Sequence, residues 1–226
     1  MPIFSVKGLL FDLDGTLIDS VPDLAVAIDA MLAEAQLPKA GEENVRKWVG
    51  NGAKKLVQRA LAFAKGCDES SIEDAELEHH HQQFLTAYRL ASSQYSQLYE
   101  GVLPALKAWH QQGLLMALVT NKPYEFIAPL LKQFAIDKYF SVLVGGDSLP
   151  SRKPSPEPLL HACDALGLTV KDCLMIGDSR NDVEAARAAD MPVACVSYGY
   201  NHGEPIEHTR PDVMVDRLTQ INIIHR

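Results

Sequence analysis

The sequence predicts an α/β fold: a Rossmann-like parallel sheet with helices on both faces, and a small all-helical cap domain inserted after the first strand. Three observations predict it. From Gly101 onward, short continuous apolar segments alternate with helix-period segments, the pattern of parallel strands buried on both faces. Between Val21 and about Gln94 only helix-period segments occur. Polar clusters follow the apolar segments, and in a parallel sheet the carboxyl ends of all strands share one rim, where ligands bind.

Val6–Phe11 is an apolar run that reads as the first buried strand. Ser20-Val21-Pro22-Asp23 reads as a helix start, with Ser20 as N-cap and Pro22 in the first turn. Leu24, Ala27, Ile28, Met31, Leu32 and Ala35 then recur at helical spacing up to a stop at Pro38. Val45–Val49, Ala53–Ala64 and Ile72 to about Ala91 read as further helices. Beyond Gly101 the expected order is helix Val102–Gln112, strand Leu114–Thr120, helix Glu125–Phe134 and strand Val142–Gly146. It continues with helix Pro156–Leu166 closed by Gly167, strand Cys173–Gly177, helix Asp182–Ala189, strand Val193–Ser197 and a last short strand Val213–Val215. The domain division is therefore residues 1–17 with 95–226 as the core and 18–94 as the helical insert.

The chain has 226 residues, 47% of them hydrophobic, which suffices for a sizeable core. Its net charge of −8 comes with no basic stripe, so nucleic acid is not expected as a stable partner. No N-terminal signal is visible, and no apolar stretch approaches the roughly 20 residues that span a bilayer, so a membrane is not expected either. The four cysteines, Cys67, Cys163, Cys173 and Cys195, are widely spaced and read as reduced thiols of a cytoplasmic protein. The expected assembly is a monomer or small homo-oligomer.

The chain is organised around Leu10-Phe11-Asp12-Leu13-Asp14-Gly15-Thr16-Leu17. In extended chain, residues two apart point to the same side, so Asp12 and Asp14 can face one site. No lysine or arginine adjoins them, and a hard cation such as Mg²⁺ would relieve their repulsion. Asp12 is a candidate nucleophile for phosphorus, and Asp14 a candidate general acid and base. Gly15 N–H, Thr120 Oγ and the Asn121 N–H are candidates to hold phosphoryl oxygens, with Lys153 as fixed positive charge. Asp178 completes a metal site with Asp12 and the backbone carbonyl of Asp14. Asp182 has two readings: Ser179-x-x-Asp182 is a capping pattern, and the same carboxylate could hold Lys153 or a metal-bound water.

Taken singly, each has an ordinary alternative: Asp12-x-Asp14-Gly15 as a polar turn, Thr120 as a turn residue, Lys153 as a solvated loop lysine. His79-His80-His81 reads as a solvated helix face, since consecutive helical residues point about 100° apart and cannot share one ion. Gly50-Asn51-Gly52-Ala53 is a glycine-rich turn opening a helix, which is either an anion site or a plain helix connection.

Asp12-x-Asp14-Gly15-Thr16, Thr120-Asn121, Lys153-Pro154 and Gly177-Asp178-Ser179-x-x-Asp182 resemble, in order and spacing, the four motifs of the haloacid dehalogenase-like hydrolase superfamily. The insert resembles that family's small helical cap. Within the superfamily the chain is similar to the bacterial phosphoglycolate phosphatases over almost its full length, including Trp48–Ala53, Val119–Pro123, Gly145–Pro150 and Tyr198–Gly203. That resemblance implies Mg²⁺-dependent hydrolysis of a small phosphorylated metabolite, 2-phosphoglycolate, to glycolate and phosphate through an aspartyl-phosphate. It also gives the N–H groups of Gly50, Asn51, Gly52 and Ala53 an expected task, binding the substrate carboxylate when the cap closes. The alternatives are a phosphatase of broader specificity, a β-phosphoglucomutase-like phosphosugar mutase, the dehalogenase branch, and a non-catalytic phosphate-binding protein. The intact Asp12 argues against the last, and Asp14 against the dehalogenase.

Overall fold

Gly8–Phe11 is buried at every residue because it lies in the middle of a parallel sheet covered on both faces. The computed structural model describes residues 3–91 and 94–225. In chain order the strands and helices begin with β1 (Ile3–Val6), β2 (Gly8–Phe11), β3 (Ile18–Asp19), α1 (Val21–Glu34), α2 (Glu42–Trp48), α3 (Ala53–Lys65) and α4 (Asp74–Ala91). Then come β4 (Gln97–Leu98), α5 (Val102–Gln111), β5 (Leu115–Val119), α6 (Ile127–Gln133), β6 (Val142–Val144) and α7 (Glu157–Leu166). β7 (Cys173–Gly177), α8 (Arg180–Ala188), β8 (Val193–Val196), β9 (Val213–Val215) and β10 (Asn222–His225) complete the order. The main sheet has the order β6-β5-β2-β7-β8-β9, with every pairing parallel.

Alternation along the strands builds two apolar layers. Leu9, Phe11, Leu118 and Ile176 face one side with Trp109 and Ile127. Leu10, Ala117, Val119, Met175 and Cys195 face the other with Leu159 and Val183. Helices α1–α4 hold a separate cluster, centred on Ile28, Met31, Leu61, Phe84 and Tyr88, which also takes in Phe126 and Tyr200 from outside the insert. Three of the four cysteines are buried and all are free thiols. Among the described residues no helix is long and apolar enough to cross a membrane.

Several boundaries differ from expectation. The run Val6–Phe11 is two strands broken at Lys7, whose N–H donates to Asp172 O (2.7 Å) and whose carbonyl accepts from Leu115 N (3.0 Å). β1 leaves the main sheet to pair with β10, an edge ribbon too exposed to carry a strong apolar pattern. β3 and β4 pair antiparallel where the helical insert leaves and rejoins the core. Ser20 occupies the N-cap of α1 but caps nothing with its side chain, because its Oγ donates to Asp14 instead (2.6 Å). Asp23 likewise turns away from its own helix end and accepts from Tyr95 N (2.8 Å) and Ser96 N (3.0 Å), tying the two connections together. α1 stops at Glu34, well before Pro38, since Gln36 adopts a left-handed backbone (φ 57°). Tyr124–Phe126 forms a 3₁₀ turn ahead of α6, and α7 begins at Glu157 with Pro156 as N-cap. α8 starts two residues earlier than expected, because Ser179 and Asp182 form a reciprocal capping box around Arg180.

Candidate active site

The carboxyl ends of β2, β5 and β7 are adjacent, so the residues that follow them meet. Asp12 extends the ladder of β2, donating its N–H to Ile176 O (3.0 Å). Its Oδ1 accepts from the Leu13 N–H (2.7 Å) and lies 3.0 Å from Lys153 Nζ. Lys153 comes from the loop after β6, is buried, and also donates to Asp182 Oδ1 (2.6 Å). Asp182 Oδ2 accepts from the N–H groups of Asp178 (3.2 Å) and Ser179 (3.0 Å) and from Ser179 Oγ (2.8 Å). Both readings of Asp182 therefore hold geometrically: one oxygen caps α8 and the other grips Lys153. Asp178 accepts from Thr16 Oγ1 (2.8 Å) and from the Tyr200 N–H (2.8 Å).

Asp12, Asp178 and Asp182 offer carboxylate oxygens that all lie within 4.8 Å of one another. Burial pushes Asp12 up to about 6, against the pull of Lys153, with Asp182 and Asp14 adding to the rise. Burial pushes Asp178 well above the usual carboxylate range, with Asp182 and Asp12 adding to the rise. Lys153 pairs with two of these three buried carboxylates, so the cluster carries excess negative charge in a dry site. An all-oxygen donor set with that charge fits a hard divalent cation. Asp182 and Asp178 each accept hydrogen bonds at both oxygens, but Asp182 alone of the two is engaged by Lys153, which makes Asp178 the better candidate beside Asp12 to face an ion.

Asp14 does not belong to that triad. Its carboxylate accepts from Ser20 Oγ (2.6 Å) and from Lys122 Nζ at 3.1 and 3.2 Å. It still lines the same cavity as Asp12, together with Thr120, Asn121 and Lys122. Gly15 departs from expectation: its N–H donates to Ile18 O (2.9 Å) and is spent inside the turn. Its glycine identity has another cause, because at φ 91° a Cβ would sit 2.3 Å from Asp178 Oδ2. Thr120 Oγ1 accepts from the Lys122 N–H (3.3 Å). Asn121 Nδ2 donates to Lys153 O (2.9 Å) and Gly50 O (2.8 Å), while its Oδ1 is buried without a partner.

The glycine-rich turn of the insert reaches this rim. The Gly50 carbonyl accepts from Asn121 Nδ2 and from Asn181 Nδ2 (3.0 Å). Gly50, Gly52 and Ala53 line the cavity. Asn51 instead points its amide toward Asn181 Oδ1 (3.5 Å). Leu24, Leu56, Phe84, Tyr88 and Phe126 supply the apolar wall of the cavity.

Sequence reasoning missed Lys122, Tyr88, Thr16 and Tyr200. No cation adjoins the paired carboxylates in sequence; Lys153, expected as the fixed positive charge, lies beside Asp12, whereas Lys122, paired with Asp14, was not expected. Lys122 directly follows Thr120-Asn121, a signal that could have found it. Tyr88 gave none, since an aromatic on an apolar helix face reads as core. Tyr200 binds Asp178 through its N–H and, through its hydroxyl, Asp19 Oδ1 (2.6 Å) and the Ser20 N–H (3.0 Å).

A parallel α/β sheet with this rim of carboxylates, lysine and hydroxyl defines a hydrolase of the haloacid dehalogenase-like kind, and residues 6–190 match the model of that family; the chain belongs to it. Its similarity narrows further. It is 50% identical to the phosphoglycolate phosphatase of Pseudomonas fluorescens strain Pf0-1 over 94% of this chain and 77% of that protein. It is 42% identical to the phosphoglycolate phosphatase of Salmonella paratyphi A over 96% of this chain and 91% of that protein. The crystal structure of a predicted phosphoglycolate phosphatase from Haemophilus somnus 129PT superposes with a TM-score of 0.89 at 41% identity, covering 94% of this chain and 95% of that one.

Proposed function

We propose that this chain is a Mg²⁺-dependent phosphomonoester hydrolase that converts 2-phosphoglycolate and water to glycolate and phosphate. The observation that carries the reading is the convergence of Asp12, Asp14 and Thr120 on one cavity, with Lys153 and Asp178 packed close to Asp12, in a chain whose relatives are phosphoglycolate phosphatases.

Asp12 attacks phosphorus in line with the ester oxygen. The Asp12–P bond forms as the P–O ester bond breaks, and Asp14 donates a proton to the departing alkoxide. Asp14 then takes a proton from water as that water attacks the aspartyl-phosphate, which releases phosphate and restores Asp12. Thr120 Oγ1 and the Asn121 N–H orient the phosphoryl oxygens. Lys153, held by Asp182, offsets charge on Asp12 and the transferring group. Asp12, Asp178 and the Asp14 carbonyl would hold Mg²⁺, which would add further neutralisation of charge on the phosphoryl oxygens.

Residues 18–94 serve in this reading as a cap over the core. The latch of the Gly50 carbonyl on Asn121 and Asn181 supports a closed arrangement that keeps bulk water from the intermediate. Gly50, Gly52 and Ala53 line the cavity beside that latch, and the N–H groups at the start of α3 are assigned a share in holding the substrate's acidic end. Replacing Gly52 with leucine should raise KM for 2-phosphoglycolate more than for a neutral phosphomonoester. Its Cβ would meet the flexible end of Arg152 at 2.8 Å, though φ 88° also strains it. A cytoplasmic location belongs to the same reading, with the four cysteines as free thiols.

Phosphate release from a panel of esters, with Mg²⁺ and with chelator, tests the reading. The panel contains 2-phosphoglycolate, sugar phosphates and a nucleotide. Metal-dependent turnover with the highest kcat/KM on 2-phosphoglycolate, abolished by Asp12→Asn, is the expected result. Equal turnover of all esters would leave a broad phosphatase, and none at all would overturn the assignment.

A further inference from the structure

We infer that Lys122 is the residue that selects an acidic substrate: its ammonium binds the negative group at the non-phosphorylated end of the ligand, taking that group in exchange for Asp14. The inference rests on the phosphatase reading above and names the basis of its specificity.

Lys122 is buried and pairs with Asp14, which stands outside the Asp12, Asp178 and Asp182 cluster. Its Nζ lies 3.1 and 3.2 Å from the two oxygens of Asp14 and donates to Tyr88 Oη at 2.7 Å. Asp14 belongs to the core and Tyr88 to α4 of the insert, so the ammonium stands in the seam between them. Among the described residues that line the cavity, Lys122 is the one cation. Lys153 lies beneath, engaged by Asp12 and Asp182. Around Lys122 the cap side of the cavity offers Leu24, Leu56, Phe84 and Phe126.

This wall sets the selection. With the phosphoryl group on Asp12, the other end of the ligand must lie toward the apolar residues and Lys122. A carboxylate placed there without a cation would lose its hydration uncompensated. An ammonium already stripped of water exchanges one carboxylate for another with little new desolvation of its own. The exchange also detaches Asp14 from its lysine, so its carboxylate can turn to the ester oxygen. Tyr88 keeps Nζ in place during the exchange, and Phe84 and Phe126 pack against the Tyr88 ring with centroids at 5.7 and 4.8 Å.

The test compares kcat/KM on 2-phosphoglycolate and on ethyl phosphate, its counterpart without the carboxylate, for the full chain with Mg²⁺. A wild-type protein without preference for 2-phosphoglycolate would defeat the substrate reading itself. Given that preference, Lys122→Met should reduce it at least tenfold, chiefly through KM for 2-phosphoglycolate, and Lys122→Arg should retain more of it. A counter-ion that merely keeps Asp14 in order would lower turnover of both esters alike, and an unchanged ratio would overturn the inference. Binding is read separately by calorimetry in the Asp12→Asn background. There Lys122→Met, or Lys122→Gln if the methionine variant does not fold, should weaken 2-phosphoglycolate and leave ethyl phosphate within about twofold.

Discussion

Replacing Lys153 with methionine should cost this protein stability in a way that depends on pH and on metal. The side chain is buried, and its ammonium holds Asp12 at 3.0 Å and Asp182 at 2.6 Å. Methionine fills similar volume but leaves Asp12, Asp178 and Asp182, with oxygens inside 4.8 Å, facing one another without a cation. Removing one partner of a buried ion pair typically costs about 3–5 kcal/mol, and in urea a slope of about 2 kcal/mol/M turns 4 kcal/mol into a midpoint lowered by about 2 M. The sign of the pH dependence follows from the raised carboxyls. Asp12 sits at about 6, and Asp178 well above its ordinary value, so both hold protons in the folded state where the unfolded chain has lost them. Such groups add stability at low pH that is lost as pH rises through their folded values. Lys153 moderates that loss for Asp12, so its removal should cost more at pH 8 than at pH 5. Mg²⁺ should narrow the gap by replacing the missing charge. The assay is urea unfolding of wild type and variant at both pH values, in chelator and in Mg²⁺. A variant as stable as wild type at pH 8 in chelator, or a deficit blind to pH and Mg²⁺, would refute the reasoning.

Activity at limiting Mg²⁺ should fall about tenfold per pH unit once pH drops well below 6, because protonated Asp12 is no nucleophile, and saturating Mg²⁺ should move that limb to lower pH. Initial rates across pH 4.5–8 at two metal concentrations would show it; a limb that ignores metal would count against Asp12 as its source. Gly146→Ala should displace the Thr120-Asn121 turn, since the new Cβ would stand 2.3 Å from the Asn121 carbonyl oxygen, backbone that cannot swing aside. A cost of about 1–3 kcal/mol in urea, with a matching loss of kcat, is expected. Tyr200→Phe removes the hydroxyl that donates to Asp19 and accepts from the Ser20 N–H, leaving that buried N–H without its hydroxyl partner at the junction of core and insert, while Asp19 keeps Arg46. Thermal unfolding should register about 1–3 kcal/mol, and amide exchange at Ser20 should rise.

Much of the site was legible because its chemistry is written locally. An apolar run ending in Asp12-x-Asp14-Gly15 announces a strand that delivers carboxylates to a rim, and hydropathy alternation tells which other segments end there. β7 and β9 fall at the residues expected, since their apolar stretches are bounded on both sides by polar ones. The capping role of Asp182 was readable from a three-residue spacing, because a helix start is a local structure. What tertiary structure alone decided is who partners whom across the chain. Lys122 meets Asp14 across 108 positions and Tyr88 across 34, and no periodicity encodes either meeting. Gly15 looked like a ligand donor, but its N–H closes its own turn, and its lack of a side chain serves the approach of Asp178. β1 and β10 pair on an exposed edge, where burial writes no pattern into the residues. Sequence by itself determined the six strands of the main sheet and what chemical groups stand at their ends, since both follow from local pattern and residue type. The strand order β6-β5-β2-β7-β8-β9, and the packing of α4 over the rim, decided which charges neutralise which, because Coulomb and desolvation energies depend on distance and burial in the folded chain.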